Sequence, residues 1–137
     1  MKKYNTPSVS VRTIIMNDKD EFLMVKERKG YYSLPGGYCE INESLKEAAI
    51  RECLEETGYL VTITKLVAAL NINKKDENEY AFFFVGEIIK YVQEHDDEII
   101  DVRYFNKDCL PKLSPVFGKD RLKKVLESMK NNDVLFE

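Results

Sequence analysis

The sequence predicts one α+β domain, and three observations support this class. Its 137 residues are enough for one sizeable hydrophobic core and too few for two comfortable ones. Several runs of β-branched and aromatic residues are typical of strands, and two segments with apolar residues at helical spacing are typical of helices. Hydrophobic residues make up 44% and charged residues 33%, the balance of a folded domain. We therefore expect residues 1–137 to form a single domain.

The N-terminal part predicts a β-hairpin. Two runs rich in β-branched residues, Ser8 to Met16 and Glu21 to Arg28, flank a polar turn. Lys26 and Arg28 fall on one face of the second strand. Two explanations remain open for these cations: they contact phosphate groups of a ligand, or they form a solvated strand end.

A capped helix is predicted at the centre of the chain, after a turn at residues 35–37. Ser44 and Glu47 have the spacing of a capping box. The helix should run to about Thr57, with Gly58 as its C-terminal stop. Apolar residues lie on two sides of it, which predicts a helix covered on both.

The second half of the chain predicts two long strands, a short strand and a final helix. The long strands are Tyr59 to Ile72 and Glu79 to Tyr91, joined by a polar loop at residues 73–78. The second of them is apolar on both alternating faces over Ala81 to Val85, as expected of a strand covered on both sides. A short strand follows at Val102 to Phe105, and an amphipathic helix at Lys119 to Lys130.

Three carboxylates converge on the last turns of the central helix. Glu52, Glu55 and Glu56 fall within roughly one third of its circumference. On a solvated face, each like-charge pair costs only about 0.2–0.5 kcal/mol, and the cluster needs no special explanation. If the side chains are partly buried about 6 Å apart, each pair repels by roughly 3 kcal/mol and the cluster requires a cation. Carboxylate oxygens then favour Mg²⁺ or Mn²⁺.

The residues around these glutamates resemble the Nudix box, G-x5-E-x7-R-E-U-x-E-E-x-G-U, in which U is a bulky apolar residue. The match begins at Gly37, continues through Glu43 and Arg51, and ends at Gly58 and Tyr59. Every fixed position is filled, and a chance match at a given start is on the order of 10⁻⁹ at typical residue frequencies. The departures are Cys53, which is small, and the hydroxyl of Tyr59; both concern packing.

The resemblance implies a Nudix hydrolase, with a mixed β-sheet between helices in an α/β/α sandwich. It implies Mg²⁺ or Mn²⁺ as the cofactor. By position in the box, the implied metal ligands are Gly37, through its carbonyl, and the three carboxylates of Glu52, Glu55 and Glu56. The implied role of Glu43 and Arg51 is an ion pair that orients the glutamates.

The resemblance leaves the general base open. Glu52 and Glu55 are the candidates inside the box. Glu98 is the candidate outside it, both as a base and as a further metal ligand, and its alternative is an ordinary residue of a solvated acidic loop. His95 in the same loop is expected to be solvated, and Cys53 is expected to be a core residue and not a nucleophile.

Hydrolysis of a nucleoside diphosphate linked to a group X is the implied reaction. The proline associated with the ADP-ribose branch of the family is missing between Pro35 and Pro111, and the chain contains no tryptophan, unlike the NADH branch. Nucleoside triphosphates, including oxidised ones, are therefore the default substrate. The rival hypothesis is a nucleotide-sensing domain that binds without cleaving.

The composition limits which binding partners and which cellular compartment are expected. The net charge of −3 gives no general attraction to nucleic acid or to anionic membranes, and no apolar run approaches the length of a membrane span. Three cysteines without a CxxC pair fit a reducing cytoplasm. We expect a cytoplasmic protein with a nucleotide-type small-molecule substrate, and the oligomeric state stays open, a homodimer included.

Overall fold

A computed structural model describes residues 6–74, 77–115 and 117–137 of the chain. Within them lie eight strands and two helices. In chain order these are β1 (Ser8–Ile15), β2 (Phe22–Glu27), β3 (Tyr32–Ser33), β4 (Gly36–Tyr38), α1 (Leu45–Thr57), β5 (Tyr59–Lys74), β6 (Glu77–Tyr91), β7 (Ile99–Phe105), α2 (Gly118–Lys130) and β8 (Leu135–Phe136).

The strands form two sheets between two helices, which confirms the predicted α+β class. A five-stranded mixed sheet has the order β4-β1-β6-β5-β8, and a three-stranded antiparallel sheet has the order β3-β2-β7. One hydrophobic core contains Ala48 and Cys53 of α1, and the other contains Leu122 and Val125 of α2. Since adjacent residues of β1 enter different cores, the two helices cover opposite faces of the sheets.

The predicted hairpin of the first two strands is wrong. β1 lies between β4 and β6, whereas β2 lies between β3 and β7 in the other sheet. Among the described residues, one isolated bridge between Met16 and Phe22 is the only pairing that joins them. Alternating hydrophobicity specifies a strand but not its partner. All four residues from Phe22 to Val25 are buried, so β2 is covered on both faces at the centre of its own sheet.

Both termini of α1 have the predicted caps. The Ser44 hydroxyl accepts a hydrogen bond from the Glu47 amide at 3.0 Å, and the Glu47 carboxylate accepts one from the Ser44 amide at 3.2 Å. Gly58 adopts φ 81°, the left-handed conformation that ends a helix. The prediction of a helix covered on both sides is only partly right, because Ile50 and Leu54 remain partly exposed.

The remaining elements are longer or more numerous than predicted. β5 and β6 extend into the predicted loop at residues 73–78, of which residues 75 and 76 lie outside the described part of the chain. The short strands β3, β4 and β8 were not predicted, since two or three residues carry no periodicity. The final helix, α2, begins within one residue of the predicted start. In the described ranges, no helix is long and apolar enough to cross a membrane.

Candidate active site

Two glycines allow β4 to pass between β1 and α1. A Cβ atom on Gly36 would lie 1.9 Å from the carbonyl oxygen of Val11, because β4 pairs closely with β1 at this point. A Cβ atom on Gly37 would lie 2.8 Å from the carboxylate of Glu52. The predicted turn at residues 35–37 therefore brings bare backbone against the glutamate face of α1.

Arg51 connects the acidic residues of the box. Its Nε and Nη2 atoms donate a bidentate pair of hydrogen bonds to the Glu43 carboxylate, at 2.7 and 3.0 Å. Its Nη1 atom donates to Glu52 at 2.8 Å and approaches Glu55 at 3.3 Å. Nη2 also donates to the Tyr38 carbonyl at 3.1 Å. The predicted ion pair of Glu43 and Arg51 is thus present, and the same guanidinium also contacts two of the three clustered glutamates.

This pairing stabilises the charged forms of its two main partners. The hydrogen bonds from Arg51 and from the Glu40 amide lower the pKa of Glu43 to about 2. The same hydrogen bond with Glu43 raises the pKa of Arg51 above its already high value. Glu43 and Arg51 therefore remain ionised throughout the physiological pH range and fix the loop before α1 against the helix.

Glu56 and Glu52 are in a different electrostatic situation. Glu56 accepts a 2.7 Å hydrogen bond from the Gly36 amide, yet burial raises its pKa to about 8. Burial also raises the pKa of Glu52, whose side chain exposes 14% of its surface, although Arg51 opposes the shift. Glu55 exposes 40% of its side chain. The inner part of the cluster is therefore short of positive charge.

The donor set fits a hard divalent cation. In the described ranges, no three acidic, histidine or cysteine side chains are already close enough together to enclose a metal ion. Mg²⁺ does not require such a cage, because it keeps several waters and commonly uses one or two carboxylates together with substrate phosphates. A partly buried carboxylate with a raised pKa beside a second one is the environment in which a cation would restore charge balance.

The acidic loop with Glu98 packs against the C-terminal end of α1. The Asp96 amide donates to the Glu55 carbonyl at 2.8 Å, and the Arg28 amide donates to the Glu98 carbonyl at 3.2 Å. The Glu98 side chain itself is exposed, and no described residue forms a hydrogen bond or ion pair with its carboxylate. The structure thus brings the loop next to the cluster without assigning a role to this carboxylate. His95 is exposed, as predicted.

The two cations that the sequence predicts on the second strand, Lys26 and Arg28, occupy separate environments, and only Lys26 lies within β2. Lys26 lies 5.7 Å from the centroid of the Tyr32 ring, next to a cleft on the α2 side of the sheets. Arg28 is exposed beyond the end of β2, beside the acidic loop. Their use as phosphate contacts stays a prediction. Cys53 is fully buried, which raises its pKa to about 12 and confirms that it is a core residue.

Sequence reasoning missed Arg12. Its Nη1 atom donates to the Leu34 carbonyl at 2.9 Å, and its charge opposes the effect of burial on the pKa values of Glu52 and Glu56. An arginine inside a run of β-branched and apolar residues is a signal that could have identified it, since a strand covered on both faces rarely carries a cation without a partner. Gly36 was also missed as a hydrogen-bond donor to Glu56.

Comparison with known proteins identifies the family of this chain. The sequence pattern of the NUDIX domain matches residues 6–126. An ADP-ribose pyrophosphatase of Methanocaldococcus jannaschii is 30% identical over 123 residues, which cover 83% of this chain and 72% of that protein. A putative ADP-ribose pyrophosphatase of Bacillus subtilis is 31% identical over 119 residues, which cover 83% of this chain and only 57% of the relative.

Solved structures show the same fold. A UDP-X diphosphatase superposes with a TM-score of 0.89 at 24% identity, covering 99% of this chain and 70% of that one. An ADP-ribose pyrophosphatase from Streptococcus suis superposes with a TM-score of 0.83 at 26% identity, covering 96% of this chain and all of that one. The resemblance predicted from the box is confirmed along most of the sequence, and the chain belongs to the Nudix hydrolase family.

Proposed function

We propose that this chain is a Mg²⁺-dependent or Mn²⁺-dependent pyrophosphohydrolase that cleaves a nucleoside diphosphate linked to a group X. The observation that supports it most is the division of charge within the box. Arg51 holds Glu43 and contacts Glu52 and Glu55, whereas Glu56 is partly buried beside the Gly36 amide. That division leaves Glu56 without an ion pair in the described part of the chain, at a place where a metal ion bound together with a pyrophosphate would supply positive charge.

The residues proposed to hold the metal are the three glutamates of α1 and the carbonyl of Gly37, with Glu98 as an additional candidate. When bound, the metal would neutralise the pyrophosphate, acidify the attacking water and stabilise the leaving phosphate. Glu52 and Glu55 inside the box, and Glu98 outside it, are the carboxylates proposed to accept the proton of that water. Arg51 would orient both through the contacts that it already makes.

ADP-ribose leads the list of substrates to be tested. Two relatives that are 30% and 31% identical carry ADP-ribose pyrophosphatase in their names, and this favours a sugar-linked diphosphate over the nucleoside triphosphates that the sequence alone indicates. The missing proline between Pro35 and Pro111 remains an argument for the triphosphates. Both classes share the scissile pyrophosphate and differ in the group that must be recognised.

A substrate panel tests the proposal directly. ADP-ribose, UDP-sugars, dinucleoside polyphosphates, nucleoside triphosphates and 8-oxo-dGTP would each be incubated with the protein and Mg²⁺, Mn²⁺ or EDTA. We expect hydrolysis of at least one member that depends on the metal, with the products identified by chromatography. The matched control is Glu52→Gln, because it removes one charge from the cluster without changing the side-chain shape. Failure to hydrolyse any member with either metal would refute the proposal.

The alternative is a domain that binds nucleotides without cleaving them. Every glutamate of the box is present, which disfavours this alternative. It would be supported by saturable binding of a panel member, measured by calorimetry in the presence of Mg²⁺, without product after prolonged incubation.

A further inference from the structure

β4 is a three-residue strand at the edge of the five-stranded sheet, and each of its residues lies against α1. The Gly36 amide donates to Glu56 at 2.7 Å, and the Tyr38 carbonyl accepts from Arg51 at 3.1 Å. A Cβ atom added to Gly37 would lie 2.8 Å from a carboxylate of the same helix. The position of β4 therefore decides where several backbone groups of the candidate site lie.

Little within β4 itself fixes that position. Its first two residues are glycines, so Tyr38 supplies the only side chain of the strand. Among the described strands, β4 pairs only with β1, over the three residues from Gly36 to Tyr38. A short edge strand that contains two glycines has few contacts and opens locally at little cost in free energy. A contact that holds the Tyr38 side chain would reduce this opening.

Glu79 of β6 provides such a contact. The Tyr38 hydroxyl donates to its Oε1 atom at 3.0 Å, and the Ser10 hydroxyl of β1 donates to its Oε2 atom at 2.8 Å. Because the strand order is β4-β1-β6, the tyrosine side chain reaches past β1 to a strand with which β4 does not pair. One carboxylate thus joins three strands, and we call the hydrogen bond between Tyr38 and Glu79 the anchor of β4.

The anchor is a strong contact that lies away from the glutamates of α1. Glu79 is only 5% exposed, and a carboxylate is costly to bury unless its oxygens accept hydrogen bonds. Hydrogen bonds to a charged group are stronger than those between neutral groups. Tyr38 is 54% exposed, so packing of its ring does little to hold the strand. Ser10 shares a face of β1 with Ile14, which belongs to the core beneath α2, so the anchor lies on the face opposite α1.

We propose that Glu79 and Tyr38 are positioning residues, which hold β4 against α1 and so place its backbone for metal binding. The groups placed in this way are the Gly36 amide, the Gly37 carbonyl and, through the Tyr38 carbonyl, the Arg51 guanidinium. The inference rests on the proposed function, because it assumes that the metal binds at the glutamates of α1. The two side chains act through the backbone of β4 and touch neither metal nor substrate.

Hydrogen exchange in the metal-free protein tests the anchor without depending on catalysis. Tyr38→Phe removes only the hydroxyl of a half-exposed side chain, so the variant should fold. By nuclear magnetic resonance in EDTA, we expect its Gly36 amide to exchange about tenfold faster than in the wild type, because β4 opens more often. The Gly58 amide, which donates to Leu54 at the end of α1, is the internal reference and should exchange at the same rate in both proteins. An unchanged rate at Gly36, or an equal rise at both amides, would overturn the inference.

Binding of Mn²⁺ tests the connection between the anchor and the glutamates. With the free ion measured by electron paramagnetic resonance, we expect the Kd for Mn²⁺ to rise about tenfold in Tyr38→Phe. Glu79→Gln keeps an oxygen that can accept from the tyrosine hydroxyl, so its Kd should stay within about threefold of the wild-type value. Faster exchange at Gly36 with an unchanged Mn²⁺ affinity would make the anchor purely structural and would also overturn the inference.

Tyr80→Phe is the matched control. Tyr80 follows Glu79 on β6 and points to the opposite face of the strand, so loss of its hydroxyl should change neither the exchange at Gly36 nor the Mn²⁺ affinity. A wild-type protein that binds no Mn²⁺ would refute the proposed metal site, whereas the exchange at Gly36 would still test the anchor. On any panel substrate that is cleaved, Tyr38→Phe should lower kcat more than it raises KM, because it disturbs the metal site and no contact with the substrate.

Discussion

Replacement of Glu56 by glutamine should stabilise the metal-free protein in a way that grows with pH. Glu56→Gln keeps an oxygen for the hydrogen bond from Gly36 but removes the titrating carboxylate. In the wild-type protein, burial raises the pKa of Glu56 from 4.5 to about 8, assisted by the negative charges of Glu52 and Glu27 and opposed by the Gly36 amide and by Arg12. Between about pH 4.5 and pH 8, the folded protein thus holds a proton on Glu56 that the unfolded chain has already released.

The magnitude follows from the two pKa values. A group with a raised pKa in the folded state contributes stability that is fully present below pH 4.5 and is lost as the pH rises through 8. The separation is 8 − 4.5 = 3.5 pH units. At about 1.4 kcal/mol per unit, wild-type stability falls by up to about 5 kcal/mol across this window because of this residue. The Glu56→Gln variant does not lose this stability as the pH rises, because its side chain does not titrate.

Urea denaturation followed by circular dichroism, in EDTA and at intervals from pH 5 to pH 9, measures the effect. The two proteins should have similar free energies of unfolding at pH 5, and Glu56→Gln should be several kcal/mol more stable at pH 9. Glu127→Gln, on the exposed face of α2, is the matched control, whose curve should run parallel to that of the wild type. A constant difference between Glu56→Gln and the wild type at every pH would refute the reasoning.

Three further experiments with substituted proteins test other parts of the site. Gly37→Ala should reduce turnover at least tenfold with a small change in Tm, because the added methyl group meets the Glu52 carboxylate. Gly36→Ala should instead lower Tm by several degrees, because its added methyl group meets backbone atoms. The reasoning would be contradicted if the two variants changed turnover equally and Tm equally. Glu55→Gln should reduce turnover strongly and leave the metal-free protein at least as stable in thermal melts; a lower Tm would show a structural role. Glu98→Gln should lower kcat on the best panel substrate at least tenfold if Glu98 is the base, and Glu94→Gln in the same loop should not; equal kcat values would remove Glu98 from the mechanism.

The sequence predicts the elements of this fold better than their partners. The capping box and the glycine that ends α1 are local signals, and both are found where the sequence places them. The pairing of β1 with β6 joins residues that are about seventy positions apart, as in Ser10 and Ala81, and no local pattern encodes it. The prediction of a hairpin is wrong for this reason. Proximity in sequence favours the pairing of β1 with β2, although each of these strands has enough apolar surface to be covered on both faces.

The residues of the candidate site also fall into those that local sequence identifies and those that only the tertiary structure brings together. The pattern from Gly37 to Gly58 identifies the carboxylates and their arginine, because α1 and the preceding turn are continuous in sequence. Arg12 comes to the site from β1, across the pairing with Gly36, and its relation to the glutamates depends on tertiary structure alone. The raised pKa of Glu56 is likewise a consequence of burial, which a helical projection does not show.

The three glutamates of α1 differ in how their charge is neutralised, and this difference explains how the box can be stable without a bound metal. Arg51 contacts Glu52 and Glu55, so much of the negative charge of the cluster is already balanced. Glu56 is partly buried, and a proton can neutralise it up to about pH 8. Binding of a divalent cation would then release that proton, which makes metal affinity rise with pH. A protein stabilised by Mg²⁺ at pH 8 but much less at pH 5, as measured by Tm, is the expected result of that exchange.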